Sequence, residues 1–404
     1  MSLYRDLGLT TVINAAGTLT RLGGTRMDPE VVGAMAEAAA AFVPIDELQA
    51  AAGRVIAEIT GAEAGYVVTG AAAGLSLGTA ACVVGMDVAA MDRLPDTTGM
   101  RNEVVVQRGH RNSYDHAIRA VGVSFVEVGY LGVPGAGGTA PWQIDAAITD
   151  RTAAVACPVL NTPGTVPLRE VCAIAHARGI PVIVDAAAEL PPRGNLRRFI
   201  AEGADLVVFS GGKAIGGPQA SGILAGRKDL IASVALQHQD MDVHPETWSR
   251  RGLIADGSLR GVPHQGFGRS MKVGREEIAG LITALRRFAA GSDHEDTIRG
   301  HRLLDVVEAA LAGRTDVTLT RATSDDNPIP SLVVQFVGDE QAARAIATVN
   351  ALIDGTPRIA VGQSYVDHGR ISVNPFSLTE EEAGIVATRL AEVLDLVRHH
   401  QGQR

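Results

Sequence analysis

The chain is predicted to fold as an α/β protein, with a large domain on a mostly parallel sheet and a smaller C-terminal α+β domain. Three observations predict it. Between residues 61 and 210, short runs of β-branched residues alternate with helix-like segments across short loops, the pattern of a parallel sheet with helices on both faces. Beyond Met271 that alternation gives way to longer amphipathic helices with isolated strand runs between them. The composition, 46% apolar with 46 glycines and 4% aromatic residues, suits close packing of helices on a sheet.

Residues 1–60 read as an N-terminal arm and two helices. The arm, to Met27, is extended and rich in Gly and Thr; Asp28 then supplies an N-cap and Pro29 a first-turn residue for a helix through Ala40. A second helix spans 45–60 and stops at Gly61. The large domain, 61–274, begins with strand 65–69, helix 72–84, strand 103–107, helix 112–121 and strand 124–128. Helix 143–148, strand 152–158, helix 168–178, strand 181–185, helix 196–202 and strand 206–210 complete its alternation. The small domain, 275–404, reads as helices 275–290 and 301–312, strands 316–320 and 331–336, helix 339–353, strand 369–373 and helix 379–399. At 404 residues the chain is long enough for two cores.

A formal net charge of −9, with no Lys/Arg run longer than a pair, lacks the footprint of a dedicated nucleic-acid binder and points to a small-molecule substrate. Cys82, Cys157 and Cys172 are widely spaced in apolar surroundings, with no spacing that suggests a metal, and read as buried thiols of a reducing cytoplasm. The opening segment lacks the basic and apolar regions of a signal peptide. The most apolar region, 67–91, is broken by Gly70, Gly74, Gly78, Gly85 and Asp87, so no membrane span is expected.

The stretch PVIVDAAAELPPRGNLRRFIAEGADLVVFSGGKAIGGPQASG, 181–222, carries the chemistry. One strand ends in Asp185; the next empties into Ser210, Gly211, Gly212 and Lys213. A carboxylate ending one buried strand and a lysine just past the next is what a pyridoxal-phosphate enzyme requires: the lysine forms the Schiff base and the carboxylate keeps the pyridine nitrogen protonated. Singly, each has a plainer reading, a strand-end aspartate and a solvated loop lysine. The pair, with Lys213 flanked by Phe209, Ala214 and Ile215, favours the cofactor site, because a desolvated amine is a usable nucleophile.

A phosphate cup is read in TGAAAGL, where Gly70, Ala71 and Ala72 follow a strand and open a helix with little side chain, letting backbone N–H groups approach an anion. Close helix packing is the alternative use of these small residues. Ser210 either adds a hydroxyl to the same phosphate or satisfies strand-end backbone. His110, just past a strand, either lies against the pyridine ring or bonds a loop carbonyl; His116 is a weaker candidate for the same role. Asn161, in PVLNTPGTVP, is a ligand to the cofactor or substrate, or a turn residue.

These blocks resemble the fold-type-I pyridoxal-phosphate enzymes, and within them the branch holding selenocysteine synthase and D-glucosaminate-6-phosphate ammonia-lyase. The resemblance runs from NAAGT at 14–18 through VDAAAELPP and FSGGKAIGGPQASG to GRSMKVGREEIAGL at 268–281. It implies a fold-type-I PLP-dependent transferase architecture, Lys213 as the Schiff-base lysine, Asp185 as the pyridinium partner, His110 as the stacking residue, and Gly70 to Ala72 with Ser210 as phosphate contacts. It also implies a homodimer or higher homo-oligomer with shared active sites, in which Arg269 and Lys272 reach a neighbour's cofactor or substrate. Arg370, in GRISVNP, resembles the strand-borne arginine that clamps a substrate carboxylate in such enzymes, its plainer reading being a surface charge. Arg21 and Arg26, in TRLGGTRM, are further candidate anion contacts, or exposed charges.

The expected reaction is a β-elimination from a hydroxylated or sugar amino acid, giving a 2-oxo acid and ammonia. Lys213, displaced by the substrate amine, removes the α-proton. A racemase or epimerase and an aldolase use the same starting step and remain alternatives. Selenium transfer on seryl-tRNA is disfavoured, because that family carries a tRNA-binding segment ahead of the motif that here begins at Asn14, and because the chain is acidic.

Overall fold

The computed structural model describes residues 3–131, 137–159, 162–324 and 327–399. Its strands, in chain order, are β1 (Val12–Ala15), β2 (Ala64–Val68), β3 (Glu103–Gln107), β4 (Ser124–Val128), β5 (Thr152–Pro158) and β6 (Val182–Asp185). They continue as β7 (Leu206–Ser210), β8 (Gly222–Gly226), β9 (Val317–Ser324), β10 (Asn327–Phe336), β11 (Arg358–Val361) and β12 (Arg370–Val373). The chain groups into two units. One comprises Met27–Leu190 and Gly194–Ala290; the other comprises Met1–Arg26, Pro191–Arg193 and Gly291–Arg404.

The larger unit is built on a seven-stranded sheet in the order β2-β8-β7-β6-β5-β3-β4. β3 to β7 pair parallel, whereas β8 runs antiparallel to both neighbours. β8 returns from β7 through a short loop with no crossover helix, and such a connection can only reverse direction. Val104, Val105, Val182, Val184, Val207 and Val208 are fully buried, as strands covered on both faces require. The helix Ala71–Val84 lies against this sheet through its glycines: a Cβ on Gly74 would come within 2.9 Å of Val208 Cγ1.

The domain boundary differs from the expected one at 274. Helix Arg275–Ala290 groups with the larger unit because Gly280 brings it onto helix Pro29–Ala39, where an added Cβ would meet Met35 Cγ at 2.7 Å. Helices Pro29–Ala39 and Ile45–Thr60 group there too, so the N-terminal 60 residues are not one body.

The smaller unit holds an antiparallel sheet, β12-β10-β9, and a parallel pair, β1 with β11. Leu304, Val334, Phe336, Val386 and Leu390 form its core. Ser292 caps the helix Asp293–Ala310 by accepting the Glu295 N–H at 3.3 Å, so this helix starts earlier than expected. Arg193 joins this unit through Asp293 at 2.6 Å and Asp296 at 2.7 Å. Among the described residues no helix is long and apolar enough to cross a membrane.

Candidate active site

β6 and β7 lie side by side in parallel, with Asp185 opposite Val208, so Asp185 and the Lys213 loop leave the same edge of the sheet. Carboxyl ends of parallel strands are where open α/β sheets place ligands. The Lys213 loop is held by its own backbone: Gly211 N–H donates to Ser221 O at 2.9 Å, Gly217 N–H to Gly211 O at 2.8 Å, and Gly216 N–H to Lys213 O at 3.0 Å. Glycine is needed at 212, where a Cβ would stand 2.7 Å from Gln219 Cα.

The two charged groups shift as their surroundings require. Burial pushes the Asp185 carboxyl up, against the Ala187 N–H, which donates to its Oδ1 at 3.1 Å, and the Lys213 charge. Burial lowers Lys213, against the Asp185 and Glu189 carboxylates. The lysine is thereby neutral, and nucleophilic, at lower pH than a solvated one. Asp185 sits where its charge calls for a cation.

Three of the small residues expected around a phosphate meet next to this edge. Gly70, at φ +98°, opens helix Ala71–Val84 with no side-chain cap. Gly222 of β8 pairs with Ser210 of β7, and a Cβ on Gly222 would meet Gly70 C at 2.7 Å and Ala71 N at 3.0 Å. The segment expected as the cup and Ser210 are therefore contiguous through a residue that has no side chain. Ala72 follows in the same first turn.

His110 closes a short 3-10 turn, Arg108–His110, directly after β3. It is 3% exposed, its Nδ1 has no hydrogen-bond partner among the described residues, and burial lowers its pKa. A neutral imidazole with a buried nitrogen that lacks a partner among the described residues is a group that a bound ligand could satisfy. The expected helix 112–121 is instead a 3-10 turn, Ser113–Asp115, running into His116–Arg119, because Asn112 Oδ1 accepts the Tyr114 N–H at 2.8 Å. Asn112, Tyr114 and Asp115 line a cleft with Pro158 and Asp185. Arg111, bonded to Asp115 and Glu127, fixes the chain just past His110. His116 is exposed and bonds Arg119 at 3.1 Å.

The remaining candidates are spread more widely. Asn161 lies outside the described residues. Arg269 sits in the turn Phe267–Met271 of the larger unit, 3.6 Å from Asp240, and Lys272 follows it, exposed. Arg21, Arg26 and Arg370 belong to the smaller unit. Arg26 pairs with Glu382 at 2.6 Å; Arg370, at the start of β12, donates from Nε to Gln335 Oε1 at 2.6 Å. Sequence reasoning did not reach Glu189, whose charge acts on Lys213, nor the close approach of Gly222 to Gly70. Its signal for Gly222 was present in the ASG that ends the lysine motif.

Comparison with known proteins follows the same lines. A family model described as L-seryl-tRNA selenium transferase (SelA) matches residues 12–241. A 5'-C-glycyluridine monooxygenase-decarboxylase of a Streptomyces species is 34% identical, covering 97% of this chain and 92% of that protein. D-Glucosaminate-6-phosphate ammonia lyase of Salmonella typhimurium is 32% identical over 98% of both. The solved structure of D-glucosaminate-6-phosphate ammonia-lyase matches 98% of this chain and 99% of its own with a TM-score of 0.81. Serine palmitoyltransferase from S. paucimobilis, solved with PLP, matches at 15% identity and a TM-score of 0.57, a likeness of fold alone. The architecture is that of the fold-type-I PLP enzymes. With the family model matched over more than half its length, the chain belongs to the SelA family.

Proposed function

We propose that the protein is a PLP-dependent ammonia-lyase that eliminates the β-hydroxyl of a sugar amino acid and releases a 2-oxo acid and ammonia. The observation that carries this reading is the end-to-end similarity to D-glucosaminate-6-phosphate ammonia lyase, at 32% identity over 98% of both chains. The site fits the cofactor: a buried carboxylate beside a desolvated lysine, an unpartnered imidazole nitrogen and a side-chain-free cup. Pyridoxal 5'-phosphate supplies an electron sink for the charge left on the substrate α-carbon.

The chain's own residues do the rest. Lys213 would hold the cofactor and, once displaced by the substrate amine, take the α-proton on Nζ and deliver a proton to the departing hydroxide. Asp185 would hold the proton on the ring nitrogen. His110 would lie against the ring, and the N–H groups at Gly70, Ala71 and Ala72 with the Ser210 hydroxyl would bind the phosphate. Arg370 would clamp the substrate carboxylate, with Arg21, Arg26 and Arg269 as further anion contacts and Asn161 as a cofactor or substrate ligand. Homodimerisation would complete the site.

A second reading rests on the 34% identity to the monooxygenase-decarboxylase, which acts by name on a glycyluridine. One experiment separates the two. Protein loaded with pyridoxal 5'-phosphate is incubated with D-glucosaminate 6-phosphate, and separately with a glycyl nucleoside under oxygen. Ammonia and 2-oxo acid from the first support the lyase; oxygen uptake and carbon dioxide from the second alone replace it.

A further inference from the structure

The carbonyl of Met271 accepts two side-chain hydrogen bonds, from Thr69 Oγ1 at 3.0 Å and from His238 Nε2 at 2.8 Å. A carbonyl only accepts, so Nε2 carries the proton and Nδ1 is the acceptor of this neutral ring. The Tyr66 hydroxyl, 3.1 Å from Nδ1, therefore donates to it. Tyr66 and His238 are 3% and 5% exposed and meet edge to face, with ring centroids 5.4 Å apart. Burial lowers the His238 pKa, which keeps the ring in this form.

The chain Tyr66–His238–Met271–Thr69 ends directly before Gly70. The helix Ala71–Val84 starts there without a side-chain cap, although a threonine hydroxyl beside a helix start is a ready acceptor for its first N–H groups. Here that hydroxyl is turned to Met271 instead. The Met271 segment is itself fixed, since a Cβ on Gly268 would stand 2.4 Å from Leu77 and 3.1 Å from His238 Cα.

We propose that His238 is a positioning residue for the cofactor phosphate: through Met271 it draws the Thr69 hydroxyl away and leaves the first N–H groups of helix Ala71–Val84 open to the anion. This rests on the assignment of that helix start to the phosphate. Removing one buried hydrogen bond from such a chain predicts a loss of about tenfold in phosphate-dependent affinity.

The test titrates pyridoxal 5'-phosphate, and separately pyridoxal, into the apo-protein and three variants, reading dissociation constants from absorbance. The native protein should prefer the phosphorylated ligand. His238→Phe should lose about tenfold of affinity for pyridoxal 5'-phosphate with pyridoxal unchanged, and His238→Gln, which can still donate to Met271, should restore it. Thr69→Val, which keeps the side-chain volume but has no hydroxyl to cap the helix, should keep the native affinity for both ligands; a loss confined to pyridoxal 5'-phosphate overturns the proposal and decides the matter if His238→Phe does not fold. In His238→Phe, equal losses for both ligands, or none, overturn the proposal. Native protein that binds the two ligands equally overturns the phosphate assignment and the proposal with it, whereas a native preference left undiminished in His238→Phe overturns the proposal alone.

Discussion

Gly222 lies under Gly70 so closely that the Cβ it lacks would stand 2.7 Å from the Gly70 carbonyl carbon. Strand β8, next to β7, whose end leads into the Lys213 loop, thereby supports the turn that opens the proposed phosphate cup. A methyl group there has to displace backbone rather than a flexible side chain. Gly222→Ala should cost about 1–3 kcal/mol of stability and weaken cofactor binding, with the lysine loop otherwise intact. Thermal unfolding with and without pyridoxal 5'-phosphate measures both; an Ala variant stabilised by cofactor as much as the native protein removes Gly222 from the cup.

Lys213 should react as an amine at lower pH than a solvated lysine. Burial is the largest cause of its lowered pKa, and deprotonation of a lowered group occurs earlier as pH rises. Borohydride trapping with pyridoxal across a pH series, followed by peptide mapping, reads the half-point at Lys213 itself. Label on another lysine, or a half-point at the solvated value, contradicts the assignment.

Asp185→Asn should keep cofactor affinity within reach of the native protein yet lose several powers of ten in turnover, since an amide cannot hold a pyridinium proton. The native carboxyl is raised by burial, so its service is lost when it is protonated: activity that depends on it falls as pH drops through that raised value. The Asn variant should show no such acid limb.

Much of this site was legible in the sequence because it depends on strand ends. Asp185 and Lys213 each follow a run of buried β-branched residues, and adjacent parallel strands bring their carboxyl ends together whatever the loops do. The strand β8 was less legible: GILAG is short, opens and closes on glycine, and runs opposite to its neighbours. The boundary at 290 was hidden for another reason. Helix Arg275–Ala290 has an ordinary amphipathic pattern, and contacts distant in sequence, such as Gly280 with Met35, 245 positions earlier, and Arg287 with Asp28, assign it to the larger unit. The Met271 carbonyl, as a backbone group, has no sequence signal at all.

Among the described residues Gln335 Oε1 accepts from Arg370 Nε, an arrangement that would leave the terminal amino groups for the proposed substrate carboxylate. Arg370→Ala should raise KM strongly for an amino-acid substrate, and lower kcat as well where the clamp orients the α-proton. Gln335→Ala should give a smaller change in the same direction by loosening the guanidinium. Unchanged kinetics in Arg370→Ala would place the carboxylate elsewhere, with Arg21 and Arg26 as the next variants to make.

The bond that breaks is decided in deuterium oxide. All the rival reactions would begin with the substrate amine displacing Lys213 from the cofactor, and they part only at the next step, so the fate of the α-carbon separates them. Elimination from a hydroxylated or sugar amino acid releases ammonia and a 2-oxo acid that carries deuterium where the hydroxyl-bearing carbon is reprotonated. Racemisation or epimerisation returns substrate with deuterium at the α-position and releases no ammonia. Aldol cleavage yields an aldehyde. With Lys213 serving as both base and acid, the elimination product is expected, and Lys213→Ala should abolish it even when pyridoxal 5'-phosphate is supplied in excess. Aldehyde and a shorter amino acid as the products would end the elimination proposal, while the roles of Lys213 and Asp185 toward the cofactor would stand.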